Sequence, residues 1–211
     1  DQGRGVVIVG GGRPSGNQSV SVALIVTGHA QVRGVTVQNP DGIGILVPSG
    51  RPLIRTCRIR HCAHNGLKVT GEAQLNLRSS QIHDILGSGI SLTERARGDI
   101  QDSMLQRCQY GINVTGTAAP LLLNNQCLDN QIGIVVAERA SPVLRQNRLM
   151  HNQVFGLWVQ GQSQPDLGHP DDAANNVMRG NGRADVQNDT PQTLLSVGND
   201  VLPQHLNGPV S

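Results

Sequence analysis

Apolar residues return along this chain at a fixed interval, in phrases of the form glycine, apolar, variable, apolar. They are Gly44-Ile45-Leu46-Val47, Gly66-Leu67-Lys68-Val69, Gly89-Ile90-Ser91-Leu92, Gly111-Ile112-Asn113-Val114, Gly133-Ile134-Val135-Val136 and Gly156-Leu157-Trp158-Val159, spaced 22, 23, 22, 22 and 23 residues apart. The alternation inside each phrase is that of a strand with one buried face. Two further apolar columns advance by the same step: Val32, Ile54, Leu77, Ile100, Leu122, Leu144, and Val37, Ile59, Ile82, Leu105, Cys127, Leu149. They read as the second strand of each repeat. A helix would need apolar residues at three- and four-residue spacing, and Gly, Pro or Asn interrupts every such window. A constant period in this range marks a solenoid, whose repeats bury apolar side chains only against their neighbours. The expected fold is all-β, a right-handed single-stranded parallel β-helix of about seven to eight rungs.

Polar and small residues share the period. One column runs Val35, Cys57, Ser80, Ser103, Asn125, Asn147, and another Pro40, Cys62, Ile85, Cys108, Asn130, Asn152. The asparagines are expected to stack at bends, bonding their own backbone and tolerating left-handed geometry. Cys57 and Cys62 read as small core residues. Cys62 and Cys108 fall two rungs apart, roughly 9.6 Å, beyond disulfide reach. Residues 1–22 read as an N-terminal strand, Gly5 to Val9, a flexible turn at 10–17 and a partial rung. The rungs occupy 23–183 with an inserted loop at 164–174, and 184–211 hold a terminal rung and a polar tail in which Leu194 to Asn199 could add an edge strand.

Composition narrows the functional classes. The only aromatics are Tyr110, Phe155 and Trp158, so the core must be thin and aliphatic. Seventeen basic against fifteen acidic residues leave a formal charge of +2 with no run of like charge. A nucleic-acid partner is not expected, since that mode needs clustered cations with stacking aromatics. No stretch approaches the roughly 20 apolar residues of a membrane span. No metal is expected, because the four cysteines lack zinc spacing, and no cofactor motif stands out. The chain opens at Asp1 without a leader-like segment, which reads as a mature or excised piece of an extracytoplasmic or secreted protein.

The alternation of Gly-Ile-x-Val phrases with segments such as Pro142-Val143-Leu144-Arg145-Gln146-Asn147-Arg148-Leu149-Met150-His151-Asn152 resembles the β-helix proteins of the pectate-lyase-like superfamily, over roughly residues 23 to 183. The ending, with Pro165-Asp166-Leu167-Gly168, Asn175-Asn176-Val177-Met178-Arg179-Gly180-Asn181 and Asp185-Val186-Gln187-Asn188, is similar to that of bacterial β-helix proteins carrying a DUF1565-type domain. The resemblance implies the fold. For activity it spans lyases, hydrolases, uronate epimerases, adhesins and non-catalytic members.

Lyase chemistry would imply clustered carboxylates for calcium and a basic residue to take a proton. Lys68 occupies an outward position, but its column mates Leu46, Ser91, Asn113, Val135 and Trp158 include no carboxylate. A glycosidase needs two carboxylates across a sugar, roughly 6.5–9.5 Å apart when inverting. The bend column His61, Asp84, Arg107, Asp129, His151 supplies the candidates Asp84, Arg107 and Asp129, with Arg107 between the acids favouring a ladder of alternating charge. Asp99 and Asp102 form a second acidic pair, read as surface polarity. Epimerases of the superfamily carry Asp-Pro-His; here His169-Pro170-Asp171 reverses that order inside the inserted loop, making His169 and Asp171 candidate ligand residues. Trp158 is a candidate sugar platform, set against packing beneath the 164–172 loop.

Three readings follow. One is a surface or binding module contacting glycan or protein. Another is a polysaccharide-active enzyme, lyase, hydrolase or uronate epimerase, on an acidic glycan. The last is a scaffold pairing end to end through exposed strand edges.

Overall fold

The computed structural model describes residues 5–11 and 20–211; the turn expected at 10–17 lies largely outside them. The chain winds through about eight turns of parallel strands. Among the described residues the one helical element is a 3-10 turn, Pro203–His205. A typical rung has three strands, such as Gly42–Val47, Leu53–Arg55 and Arg58–Cys62. The stretch read as one second strand is therefore two, divided by a bend at Thr56, whose φ is 53°.

The apolar columns lie in register. Ile59 pairs with Ile82, Ile82 with Leu105, Leu105 with Cys127 and Cys127 with Leu149. Ile54, Leu77, Ile100, Leu122 and Leu144 form a second file in a separate six-stranded sheet. Ile45, Leu67, Ile90, Ile112, Ile134 and Leu157 form the third. Every residue of the three files is fully buried. No aromatic ring belongs to the buried core among the described residues, and aliphatic side chains supply most of it.

The repeat glycine is enforced by contact between rungs. A Cβ on Gly111 would lie 2.5 Å from the carbonyl oxygen of Gly133, and one on Gly133 would lie 2.5 Å from that of Gly156. No side chain fits there.

The asparagines do stack, but not in left-handed geometry and not by bonding their own backbone. The left-handed residue is the one before, Asn124 at φ 52° and Asp129 at φ 54°. That twist turns the next side chain into the tube. There the Oδ1 of Asn147 accepts the Asn125 backbone N–H at 3.0 Å, while its Nδ2 donates to the Leu122 carbonyl at 2.8 Å. The file continues downward through Asn125, Ser103 and Ser80 to the N–H of Cys57, and upward through Asn176 to Asn199. The parallel file of Asn130, Asn152 and Asn181 ends on Asp185, whose Oδ1 accepts the Asn181 N–H at 3.1 Å. Its first member is Asn39 rather than Pro40: a register slip after Gln38 sets Asn39 opposite Cys62.

Candidate functional site

Each rung turns sharply within or just after the strand that begins at its third side, and the turning residue projects outward. Along the stack these residues are His61, Asp84, Arg107, Asp129 and His151, at φ between 50° and 58°. Their polar, unbranched side chains suit a left-handed backbone. The fold thus places the predicted candidates Asp84, Arg107 and Asp129 on consecutive rungs of one ridge.

Asp84 and Arg107 meet. The guanidinium Nε donates to Asp84 Oδ1 at 2.6 Å and its Nη2 to Oδ2 at 3.1 Å. His83 Nδ1 lies 2.6 Å from the same Oδ2 and His61 Nε2 3.9 Å from it. Because an ionised carboxylate only accepts, the His83 Nδ1 carries the proton toward Asp84. The His61 and His83 rings stand edge to face, 6.5 Å apart. Hydrogen bonding and charge from Arg107, with a smaller contribution from His83, outweigh partial burial and hold the Asp84 carboxyl well below the usual carboxylate range; Asp84 in turn raises Arg107. Asp129 does not close the ladder. Its Oδ2 accepts from Gln106 Nε2 at 2.9 Å.

A cleft of about 480 Å³ opens beside this cluster, between Pro40, His61, Asp84, Arg107 and Leu86. Leu86 is 77 % exposed. Its position reflects an irregularity in the strand Gln81–Leu92, where the register to the next rung slips between Ile85 and Ser88. The inserted residue turns Leu86 out to solvent. Sequence reasoning missed His83 and Leu86. The signals were present: His83 directly precedes the bend residue, and the interval from Gly66 to Gly89 is 23 residues rather than 22.

Trp158 lies outward in the file of Val135 and Gln187. Its Nε1 donates to Asp189 at 2.7 Å and its ring tilts against Phe155 at 5.5 Å. These partners come from its own strand and the terminal rung, in place of the loop expected over it. Lys68 sits between Leu46 and Ser91 in that same file.

His169 and Asp171 belong to a small hairpin in which His169 and Asp172 exchange backbone hydrogen bonds at 3.0 Å. Arg145 pins it, reaching Asp166 at 2.9 Å and Asp172 at 2.6 Å. Although partial burial opposes it, the Arg145 contact holds the Asp166 carboxyl below its ordinary value. His169 Nε2 stands 3.8 Å from Asp166, and Asp171 is exposed. Among the described residues no group of three His, Cys, Asp or Glu could hold a metal ion. All four cysteines are buried free thiols, and burial pushes Cys62 up to about 11 and Cys108 to about 12. Burial raises Cys127 as well, and these three thiols stay protonated and unreactive at neutral pH.

A family profile described as "Right handed beta helix region" matches residues 11–118 and 48–189. The chain belongs to this right-handed β-helix family. Among solved structures it is similar to the periplasmic alginate epimerase AlgG, at 17 % identity and TM-score 0.57, covering 83 % of this chain and 44 % of that one. A point mutant of AlgG matches at 18 % identity and TM-score 0.68, over 86 % of this chain and 47 % of the other. A double mutant matches at 14 % identity and TM-score 0.66, over 92 % and 59 %. At these identities the likeness is one of fold, and the chain spans about half the length of those structures. No curated protein matches. Among the described residues no helix is long and apolar enough to cross a membrane.

Proposed function

We propose that the chain is a non-catalytic β-helix module that contacts a glycan outside the cytoplasm. One observation carries this reading: the best-placed carboxylate, Asp84, is locked in a two-point ion pair with Arg107 and held ionised. It has no proton to give near neutrality, and its lone pairs are engaged by Arg107 and His83, so it makes a poor general acid and a poor base. Asp129 lies two rungs further along the ridge, bonded to Gln106. Hydrolysis by paired carboxylates needs one of them protonated. The fold likeness to a periplasmic alginate epimerase supports an extracytoplasmic setting and a sugar polymer as partner.

An enzyme is the second reading. The cleft of about 480 Å³ beside His61, Asp84 and Arg107 favours it, because convergent polar groups at a concavity are the usual setting of a site. A glycan array, run beside assays for uronate unsaturation, reducing-sugar release and uronate epimerisation, tests both. Binding without product is the expected result. Product that disappears in Asp84→Asn or Asp129→Asn, with the fold intact, would overturn the non-catalytic reading.

A further inference from the structure

The fold creates a charge pattern that a linear scan of the sequence does not contain. Arg33, Arg55 and Arg78 are 22 and 23 residues apart in the chain, yet they are direct partners on adjacent strands, Arg33 opposite Arg55 and Arg55 opposite Arg78. Three guanidinium side chains therefore leave one face of the six-stranded sheet at the rung spacing of roughly 4.8 Å. None has a carboxylate partner among the described residues. Arg33 donates to Gln31 at 2.7 Å, Arg78 donates to Gln101, and Arg55 makes no side-chain hydrogen bond or ion pair with a described residue.

Four arginines elsewhere are neutralised locally. Arg95 pairs with Glu72, Arg107 with Asp84, Arg145 with Asp166 and Asp172, and Arg179 with Asp200. Arg145 continues the file of Arg33, Arg55 and Arg78 three rungs beyond Arg78, through Gln101 and Leu123. The same position is thus neutralised at one end of the solenoid and bare at the other. Between residues 33 and 78 seven basic residues face two acidic ones, Asp41 and Glu72, whereas from 81 to 211 twelve acidic residues outnumber eight basic ones. The near-neutral total conceals a molecule that is positive over its early rungs and negative over its later ones.

Like charges directly opposite on neighbouring strands are destabilising, and a polyanion would relieve that repulsion. We infer that the face carrying Arg33, Arg55 and Arg78 binds a linear, carboxylated polysaccharide laid along the solenoid axis, an inference that rests on the glycan-contacting reading and gives it a ligand class and a location. A row of planar guanidiniums at one-rung intervals offers paired N–H donors to successive carboxylates. Its straightness suits an extended polymer. Nucleic acid fits less well, because Tyr110, Phe155 and Trp158 all lie on the file of first strands, leaving the arginines no ring on which bases could stack.

The test uses the full chain with alginate and polygalacturonate oligosaccharides as probes, and neutral dextran, heparin and single-stranded DNA as comparisons. Polyuronate binding that weakens as salt is raised is expected. Arg55→Ala should lower affinity about tenfold, the loss of one charge-assisted contact, and the triple Arg33→Ala, Arg55→Ala, Arg78→Ala variant should abolish binding. Arg148→Ala, on another strand toward the far end, should leave it unchanged. Thermal unfolding should show the variants as stable as the parent or slightly more so, since repulsion is removed. Equal binding by parent and triple variant would overturn the arginine file and leave the glycan reading standing. Binding of heparin or DNA as tightly as polyuronate would overturn the carboxylate assignment. Binding of dextran alone would overturn an acidic ligand but keep the glycan reading, and no binding to any glycan would overturn both.

Discussion

At the scale of single residues, the side chains of greatest consequence are polar groups inside an apolar tube. Asn147 satisfies the N–H groups of its neighbours and has its own satisfied by Asn176. Truncation to Ala leaves the Asn125 N–H and the Leu122 carbonyl unpaired in a dry interior. Each such loss costs about 1–3 kcal/mol. Asn147→Ala should therefore destabilise by roughly 2–4 kcal/mol in denaturant titrations, and a loss below half of one kcal/mol would refute a structural file. Asp84 makes a different prediction, with a defined sign. Its folded carboxyl ionises more readily than the unfolded one, so its ion pair contributes stability that is fully present above the unfolded value of about 3.9 and is lost as pH falls through the lower folded value. Asp84→Asn keeps a residue that accepts φ of 58° but removes the charge. The stability difference between parent and variant should be constant at neutral pH and shrink below about pH 4; a difference that stays undiminished into strong acid would refute the contribution of the Asp84 charge.

At the scale of strands and turns, packing between rungs decides what each position accepts. In Gly111→Ala the new methyl would sit 2.5 Å from the Gly133 carbonyl, backbone that cannot swing aside. We expect a loss of at least about 2 kcal/mol or failure to fold, whereas Leu86→Ser, on an exposed inserted residue, should leave the melting temperature nearly unchanged. A tolerated Gly111→Ala would mean that the strands are further apart than described. The same logic explains what the sequence revealed. Inward files such as Ile59, Ile82 and Leu105 must be apolar in every rung, so they repeat and can be read. The glycine is fixed by a carbonyl one rung on, so it repeats as well. The division of the second strand at Thr56 was illegible, because its left-handed bend is taken by Thr56, Ser79, Asp102, Asn124, Gln146 and Asn175, which share little but polarity. The Asp84–Arg107 contact was legible from the period, since bend residues stack. Its third member, His83, belongs to an outward file with Arg60 and Gln106 that has no repeated type to mark it. The arginine file escaped for the reason that its members are distant in sequence and adjacent only after winding.

At the scale of the whole molecule, a solenoid has no centre in the globular sense, because each rung touches only the rungs on either side. Stability is then close to a sum of rung and interface contributions, and the ends, with one neighbour each, must open first. The two ends are finished differently. At the C-terminal end the glycine file and the file of Asn130, Asn152 and Asn181 both terminate on Asp185, whose carbonyl oxygen faces Gly156 and whose carboxylate receives Asn181, and the 3-10 turn Pro203–His205 and the pair Leu206–Asn207 close over that rung. At the N-terminal end Val7–Val9 pairs on one side with Thr36 to Gln38, while Val6, Val7 and Val9 are each more than half exposed and Ile25 is 55 % exposed. Native-state hydrogen exchange should therefore show slowest exchange in the long central strands Gln81–Leu92 and Met104–Val114, intermediate rates in Ala184–Asn188, and fastest rates in Val7–Val9 and Ser21–Ile25. Asymmetry is the decisive point: fraying from both ends at equal rates would show that the Asp185 cap contributes nothing, and uniform protection throughout would show that the rungs unfold as one cooperative block rather than as coupled neighbours.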